Sequence, residues 1–315
     1  MKLSKCSGAV VYAITPYDNA GNIDFDAFEK YIKFVVDEGA TSIVISSNMA
    51  DIGYLSMAER AALLKAATQT AGDKAMIIAT VIPGEMSAGE QTKRFLENGA
   101  DAINIKYPTN DVATFTDAFN QVVSAGTDYI IVTDHKSGGF DMNNMGKGVR
   151  PVAGLPEEVI VNLFRENEAF KSVIVALPLN ECGPKTSRLL KATDGKLNII
   201  AETATDQFLE HLDRGAEGFV TGVFVKLFNK ICDSYAQGGG DKARPLFFDL
   251  LRVIVWTKQY VDREPYLYQR YLQDKGVIAN VMFRTERSID KYMVRYGEEM
   301  LALANKLEEN INKYE

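Results

Sequence analysis

The sequence predicts an α/β fold, a (β/α)8 TIM barrel followed by a helical C-terminal extension. Three observations predict it. Eight short apolar, β-branched runs recur through the first 222 residues, with amphipathic segments between them. One helix-to-strand junction occurs three times, as Gly39-Ala40-Thr41, Gly99-Ala100-Asp101 and Gly215-Ala216-Glu217. The chain has 315 residues, enough for a barrel of roughly 250 residues plus an extension.

Residues 9–15 read as the first strand. Residues 25–38 set Phe28, Tyr31, Ile32 and Val35 at helical spacing, and residues 42–46 form the next apolar run. Ser56-Met57-Ala58-Glu59 is a capping box that starts a second helix, and Ser87-Ala88-Gly89-Glu90 is another. Strands then follow at 76–81, 102–105, 129–133, 173–177, 197–201 and 218–222. Glycine at the repeated junction takes the left-handed conformation that ends a helix, and the chain enters the next strand. Apolar strands alternating with helices imply a parallel sheet covered by helices. Eight strands favour a closed barrel over an open doubly wound sheet. After residue 222 the strand signal ends, and 223–237, 242–261, 266–276 and 285–314 read as helices. The expected division is a barrel of residues 1–222 and a helical extension of residues 223–315 packed on it.

The composition is ordinary for a globular protein, 46% hydrophobic and 24% charged. A net charge of −7 argues against a nucleic-acid partner. No apolar run approaches the roughly 18 residues of a membrane span, so no membrane association is expected. Cys6, Cys182 and Cys232 are too widely spaced for a disulfide framework or a zinc motif, which suits a reducing cytoplasm. Gly238-Gly239-Gly240 follows a helix rather than a strand, so it reads as a turn, not a phosphate loop. No cofactor is expected. The long irregular stretch 140–154 carries Lys147 and Arg150, which read either as an anion clamp or as part of a solvated loop.

Ile14-Thr15-Pro16-Tyr17, with Gly21-Asn22-Ile23-Asp24 after it, resembles the opening of the dihydrodipicolinate synthase / N-acetylneuraminate lyase family. The resemblance continues through Glu38-Gly39-Ala40, Leu55-Ser56, Glu59-Arg60, Asn98-Gly99-Ala100-Asp101-Ala102 and Gly215-Ala216-Glu217-Gly218-Phe219-Val220, and into Gly276 and Arg284. It implies a barrel with added C-terminal helices, a homo-oligomer (dimer or tetramer) and a small keto-acid or sugar-acid ligand. It also implies lyase chemistry, aldol cleavage or dehydration, through a Schiff base on a strand 6 lysine. A strand 5 tyrosine relays protons in that chemistry, and a Gly-Thr-Thr-Gly-Glu turn after strand 2 binds a carboxylate.

At each of these positions the sequence departs from the family. The turn reads Ser47-Asn48-Met49-Ala50-Asp51, the tyrosine position is Thr133, and no lysine lies between Lys171 and Lys185. Lys185 is expected on the helix after strand 6. Two lysines fall at strand ends instead, Lys106 after strand 4 and Lys136 after strand 5. A Schiff-base lysine on strand 4 looks similar to that of the transaldolases; the plainer reading makes both lysines rim residues. The candidate catalytic set is Lys106, Thr133, Asp134 and His135, with the last two as acid/base groups. Ser47, Asn48, Asp51, Lys136, Asn180 and Glu202 are the candidate substrate-binding set. Asp51, Asp134 and Glu202 together offer oxygen ligands for a divalent cation, but no metal is expected. Cys182 reads as buried filler. Two functions therefore remain: a divergent lyase with an altered mechanism, or a catalytically silent relative that binds a small molecule or a partner.

Overall fold

A computed structural model describes residues 5–47, 51–84, 86–107, 111–135, 154–177, 179–202 and 205–314, with the backbone alone for 179, 180 and 205. In chain order the elements are β1 (Gly8–Tyr12), α1 (Phe25–Asp37), β2 (Ser42–Ile45), α2 (Met57–Ala71), β3 (Met76–Val81), α3 (Ala88–Glu97), β4 (Ala102–Ile105) and α4 (Val112–Ser124). They continue as β5 (Ile130–His135), α5 (Glu157–Glu166), β6 (Phe170–Ala176), α6 (Leu179–Ala192), β7 (Asn198–Ala201), α7 (Phe208–Asp213) and β8 (Gly218–Thr221). The tail adds α8 (Val225–Lys258), α9 (Arg263–Asp274) and α10 (Lys291–Glu309). The eight strands follow one another in sequence order around a closed barrel, as the alternating pattern predicts. Among the described residues no helix is long and apolar enough to cross a membrane.

The local signals act as expected. Ser56 and Ser87 each accept the backbone N–H three residues on, and Glu59 and Glu90 return the bond, so both capping boxes are complete. The three junction glycines, Gly39, Gly99 and Gly215, all have positive φ, between 93° and 96°, a region where a side chain costs energy and glycine does not.

The chain forms two compact units. The first comprises residues 1–77 and 219–315. Within it Asn229 of α8 joins the start of β1 to the turn after α1: its side-chain oxygen accepts the Ala9 N–H, and its amide donates to the Gly39 carbonyl, both at 3.0 Å. Tyr31 of α1 donates to the Gly222 carbonyl at 2.6 Å. Tyr266, Tyr268 and Tyr271 are all buried inside this unit, so they supply no surface for self-association. The expected turn between two tail helices occurs inside α8, where Gly238 and Gly239 leave helical geometry. The last helix begins at Lys291 rather than near residue 285. There the Asp290 carboxylate accepts the N–H groups of Tyr292 and Met293 and fixes the start.

The second unit, residues 78–218, holds β4 to β7 and the helices between them. Its strands pair in parallel register, with Asn104 opposite Ile131, Thr133 opposite Ile174 and Val173 opposite Ile199. β5 runs two residues beyond the expected end at 133, because Asp134 and His135 still pair with Val175 and Ala176. That extension places both candidate acid/base residues within a strand, where successive side chains point to opposite faces.

Candidate functional site

Alternation sorts the second unit's strand residues into two faces. One face carries a stack of polar side chains. At its lower level Tyr129 and Ser172 hydroxyls meet at 2.8 Å, and Ser172 donates to the Asn198 side chain at 2.7 Å. Above them the Thr133 hydroxyl donates to the Asn104 side-chain oxygen at 2.8 Å. Two residues further along β4 and four beyond Asn198 on β7, Lys106 and Glu202 form the top level. Lys106 Nζ lies 3.7 Å from Glu202 Oε1, with side chains only 8% and 16% exposed. The Lys106 N–H donates to the Val81 carbonyl and the Glu202 N–H to the Val175 carbonyl, so both residues continue the ladders beyond their strands. His135 shares the Thr133 face by parity and is half-buried.

Asp134 faces the other way. Its carboxylate accepts the Leu155 N–H at 2.7 Å and lies 2.5 Å from Lys185 Nζ, and neither side chain is more than 4% exposed. Lys185 also donates to the Leu155 carbonyl at 2.5 Å. Gly154 completes the arrangement. Its φ is +78°, and a β-carbon there would come within 2.1 Å of the Asp134 carboxylate. Burial pushes the Asp134 carboxyl above its ordinary range, and Lys185 opposes that shift. Because Asp134 and Thr133 are adjacent on β5, the strand's pleat alone separates this pair from the Lys106 face.

Lys185 is where the sequence expected it, on the helix after β6, but its amine returns to the sheet. The signal was present: Cys182, Lys185, Thr186 and Leu189 follow an i, i+3, i+4, i+7 stripe, and all four are buried. A lysine in the middle of an apolar helix stripe calls for a buried carboxylate. Cys182 itself is buried with its thiol pushed up to about 12 by desolvation, so it stays protonated and packs as filler.

In the first unit, Ser47 and Asp51 are both buried. Asp51 accepts from Arg287 at 2.8 Å, and Arg287 also donates to Asp262 at 3.0 Å. Arg284 donates to the Gly21 and Tyr54 carbonyls and to Glu59. Its guanidinium stacks 4.9 Å from the centre of the Tyr17 ring, in the Thr-Pro-Tyr motif. Burial, with Asp51 adding to it, pushes the Tyr17 hydroxyl up to about 12. Ser46, at the end of β2, is a buried non-glycine residue with φ +60°, a strained conformation of the kind that collects at functional sites. Asn48, Lys136 and the side chain of Asn180 lie outside the described residues, as do Lys147 and Arg150. Among the described residues no group of three or more His, Cys, Asp or Glu side chains is placed to share a metal ion.

Residues 5–132 match the model of the Dihydrodipicolinate synthetase family. A 4-hydroxy-tetrahydrodipicolinate synthase of Alkaliphilus oremlandii is 23% identical over 262 residues, covering 81% of this chain and 82% of its own length. An uncharacterized DapA-like lyase of Pyrococcus horikoshii is 32% identical over 101 residues, 32% of this chain and 35% of that protein. The crystal structure of a dihydrodipicolinate synthase from Rhodopseudomonas palustris superimposes with a TM-score of 0.81 at 18% identity, over 96% of this chain and 99% of that one. At that identity the likeness is one of fold.

Proposed function

We propose that this chain, a relative of the dihydrodipicolinate synthetase family, is a lyase of altered mechanism in which Lys106 takes the place of the missing strand 6 lysine. The substrate class is a keto acid or sugar acid, and the reaction makes or breaks a carbon–carbon or carbon–oxygen bond beside its carbonyl. The observation that carries the reading is the position of the Lys106 amine, largely buried beyond the end of β4 and 3.7 Å from Glu202. In this fold, strand ends of that polarity are where active sites are built. Glu202 takes one proton from the ammonium, the neutral nitrogen attacks the keto carbon and a C–N bond forms. The carbonyl oxygen then leaves as water with that returned proton and one from nitrogen, giving an iminium. The positive charge then stays on nitrogen beside the Glu202 carboxylate, which stabilises it as it stabilised the ammonium.

Borohydride reduction in the presence of pyruvate, 2-ketobutyrate or glyoxylate tests this. A stable adduct mapped to Lys106, and absent in Lys106→Met, is the expected result. An adduct on Lys136 would move the amine to strand 5. No adduct with any of the three would remove the Schiff-base version.

A second reading is a catalytically silent binding protein, and one observation favours it. Both buried lysines, Lys106 and Lys185, already face a carboxylate, as structural ion pairs do. Multiple-turnover product release from a metabolite pool, lost in a strand-end variant, would reject that reading. We further take the chain to be a cytoplasmic homo-oligomer, a dimer or tetramer, with the barrel ending near residue 222. Three cysteines widely spaced in sequence suit a reducing compartment. Exposed Tyr260, Val261 and Tyr292 in the tail are apolar surface of the sort that partners cover.

A further inference from the structure

We propose that Glu202 is the general base that removes a proton from the carbon next to the iminium on Lys106, taking over the part a tyrosine plays in the family; this rests on the Lys106 reading above. The first support is what two of the other candidates, Thr133 and Asp134, are doing. Thr133, at the tyrosine position, commits its hydroxyl proton to Asn104 at 2.8 Å, and a threonine hydroxyl is in any case a weak acid and base. Asp134 lies on the opposite face of β5, held by Lys185 and the Leu155 N–H. The second support is placement. Glu202 shares its face with Asn198 by strand parity, and Asn198 belongs to the same polar stack as Ser172. Its carboxylate sits 3.7 Å from the amine nitrogen and is mostly shielded from solvent. A carbon bonded to the iminium carbon is two bonds from that nitrogen, which is within the reach of a carboxylate at this separation.

The step balances within the site. Glu202 forms an O–H bond as the substrate C–H bond breaks. The electron pair of that bond becomes a C=C bond, and the C=N π pair returns to nitrogen. The result is a neutral enamine beside a neutral carboxylic acid, so one cation and one anion disappear together. Little charge is left uncompensated in a poorly solvated place, which keeps the step's electrostatic cost low. Return of the proton to carbon reverses the step. When the carboxyl proton has exchanged with solvent first, deuterium from D2O enters the substrate.

The experiment uses the full-length protein and pyruvate in D2O, following loss of the methyl proton signal by NMR. Borohydride trapping to saturation is run in parallel with 2-ketobutyrate and glyoxylate included. The wild type is expected to trap at Lys106 and to exchange the methyl protons. Glu202→Gln is expected to keep the adduct at saturation while exchange falls by about 100-fold or more, the usual scale for losing a general base. Glu202→Asp is expected to restore a measurable part of the exchange. Exchange at the wild-type rate in Glu202→Gln, with the Lys106 adduct present, overturns the role of Glu202 and leaves the Lys106 reading standing. Loss of the adduct itself in Glu202→Gln, with the fold intact by circular dichroism, shows a structural role and also overturns the proposal. No adduct on Lys106 in the wild type with any of the three keto acids removes the Lys106 reading and this inference with it.

Discussion

Replacing Lys185 by methionine deletes one charge from a fully enclosed pair while keeping the length of the side chain. Among the described residues Asp134 would then keep the Leu155 N–H at 2.7 Å, and the Leu155 carbonyl would lose the lysine donor at 2.5 Å. Both side chains are almost inaccessible to water, 0% exposed for Asp134 and 4% for Lys185, so solvent cannot replace what is lost. Removing one member of such a pair typically costs about 3–5 kcal/mol, and the stranded carbonyl accounts for part of that. The expected loss is about 4 kcal/mol at pH 7. The pH dependence gives a sharper test. Burial already raises the Asp134 carboxyl above its ordinary value of 3.8, and loss of the lysine charge raises it further. A carboxyl raised on folding is protonated in the folded state where the unfolded chain is ionised, so stability falls as pH rises through that window. The deficit of Lys185→Met should therefore shrink as pH is lowered toward the ordinary carboxyl value of 3.8, by up to about 1.4 kcal/mol per pH unit. Urea unfolding followed by far-UV circular dichroism measures it, with hydrogen exchange of the β5 and α6 amides as the local readout. In Asp134→Asn/Lys185→Met the loss should be smaller than the sum of the two single losses. A loss under about 1.5 kcal/mol at pH 7, or a loss that does not shrink as pH falls from 7 toward the ordinary carboxyl value of 3.8, would refute the reasoning.

Gly154→Ala should cost about 3 kcal/mol in the same assay, since the β-carbon meets Asp134 at 2.1 Å and Leu177 at 2.9 Å on a backbone with φ +78°. Glu59 is held down to about 2 by the hydrogen bond from Arg284 and then by the Ser56 cap. A carboxyl lowered on folding contributes stability above its ordinary 4.5, and the contribution is lost as pH falls toward 2. The pair is partly exposed, so solvent screening leaves about 1 kcal/mol. Wild type and Glu59→Gln should thus differ by that amount at pH 7 and converge as pH falls toward 2. The Cys182 and Cys232 thiols, both pushed up to about 12 by burial, should react with an aromatic disulfide reagent only after denaturation; rapid native reaction at Cys182 would contradict its description as packing.

Most of the fold was legible because its determinants are local. A glycine at Gly39, Gly99 or Gly215 ends a helix whatever lies elsewhere, and Ser56 and Ser87 cap the residues just after them. Apolar runs name the strands for the same reason, with errors of two or three residues at the ends of β5 and β6. Those small errors mattered at the site. Ending β5 at residue 133 left Asp134 and His135 as neighbours in one cluster, whereas a strand that continues to His135 sends them to opposite faces. Sequence alone establishes that strands alternate with helices and that lysines and carboxylates fall at strand ends. Which of these meet is set by the folded chain. It joined Lys106 to Glu202 across almost a hundred residues of chain and returned Lys185 from its helix to Asp134. The physical reason is that helix stops and caps are set by neighbours in sequence. Ion-pair partners are set by register, pleat and helix rotation, which exist only once the strands have paired.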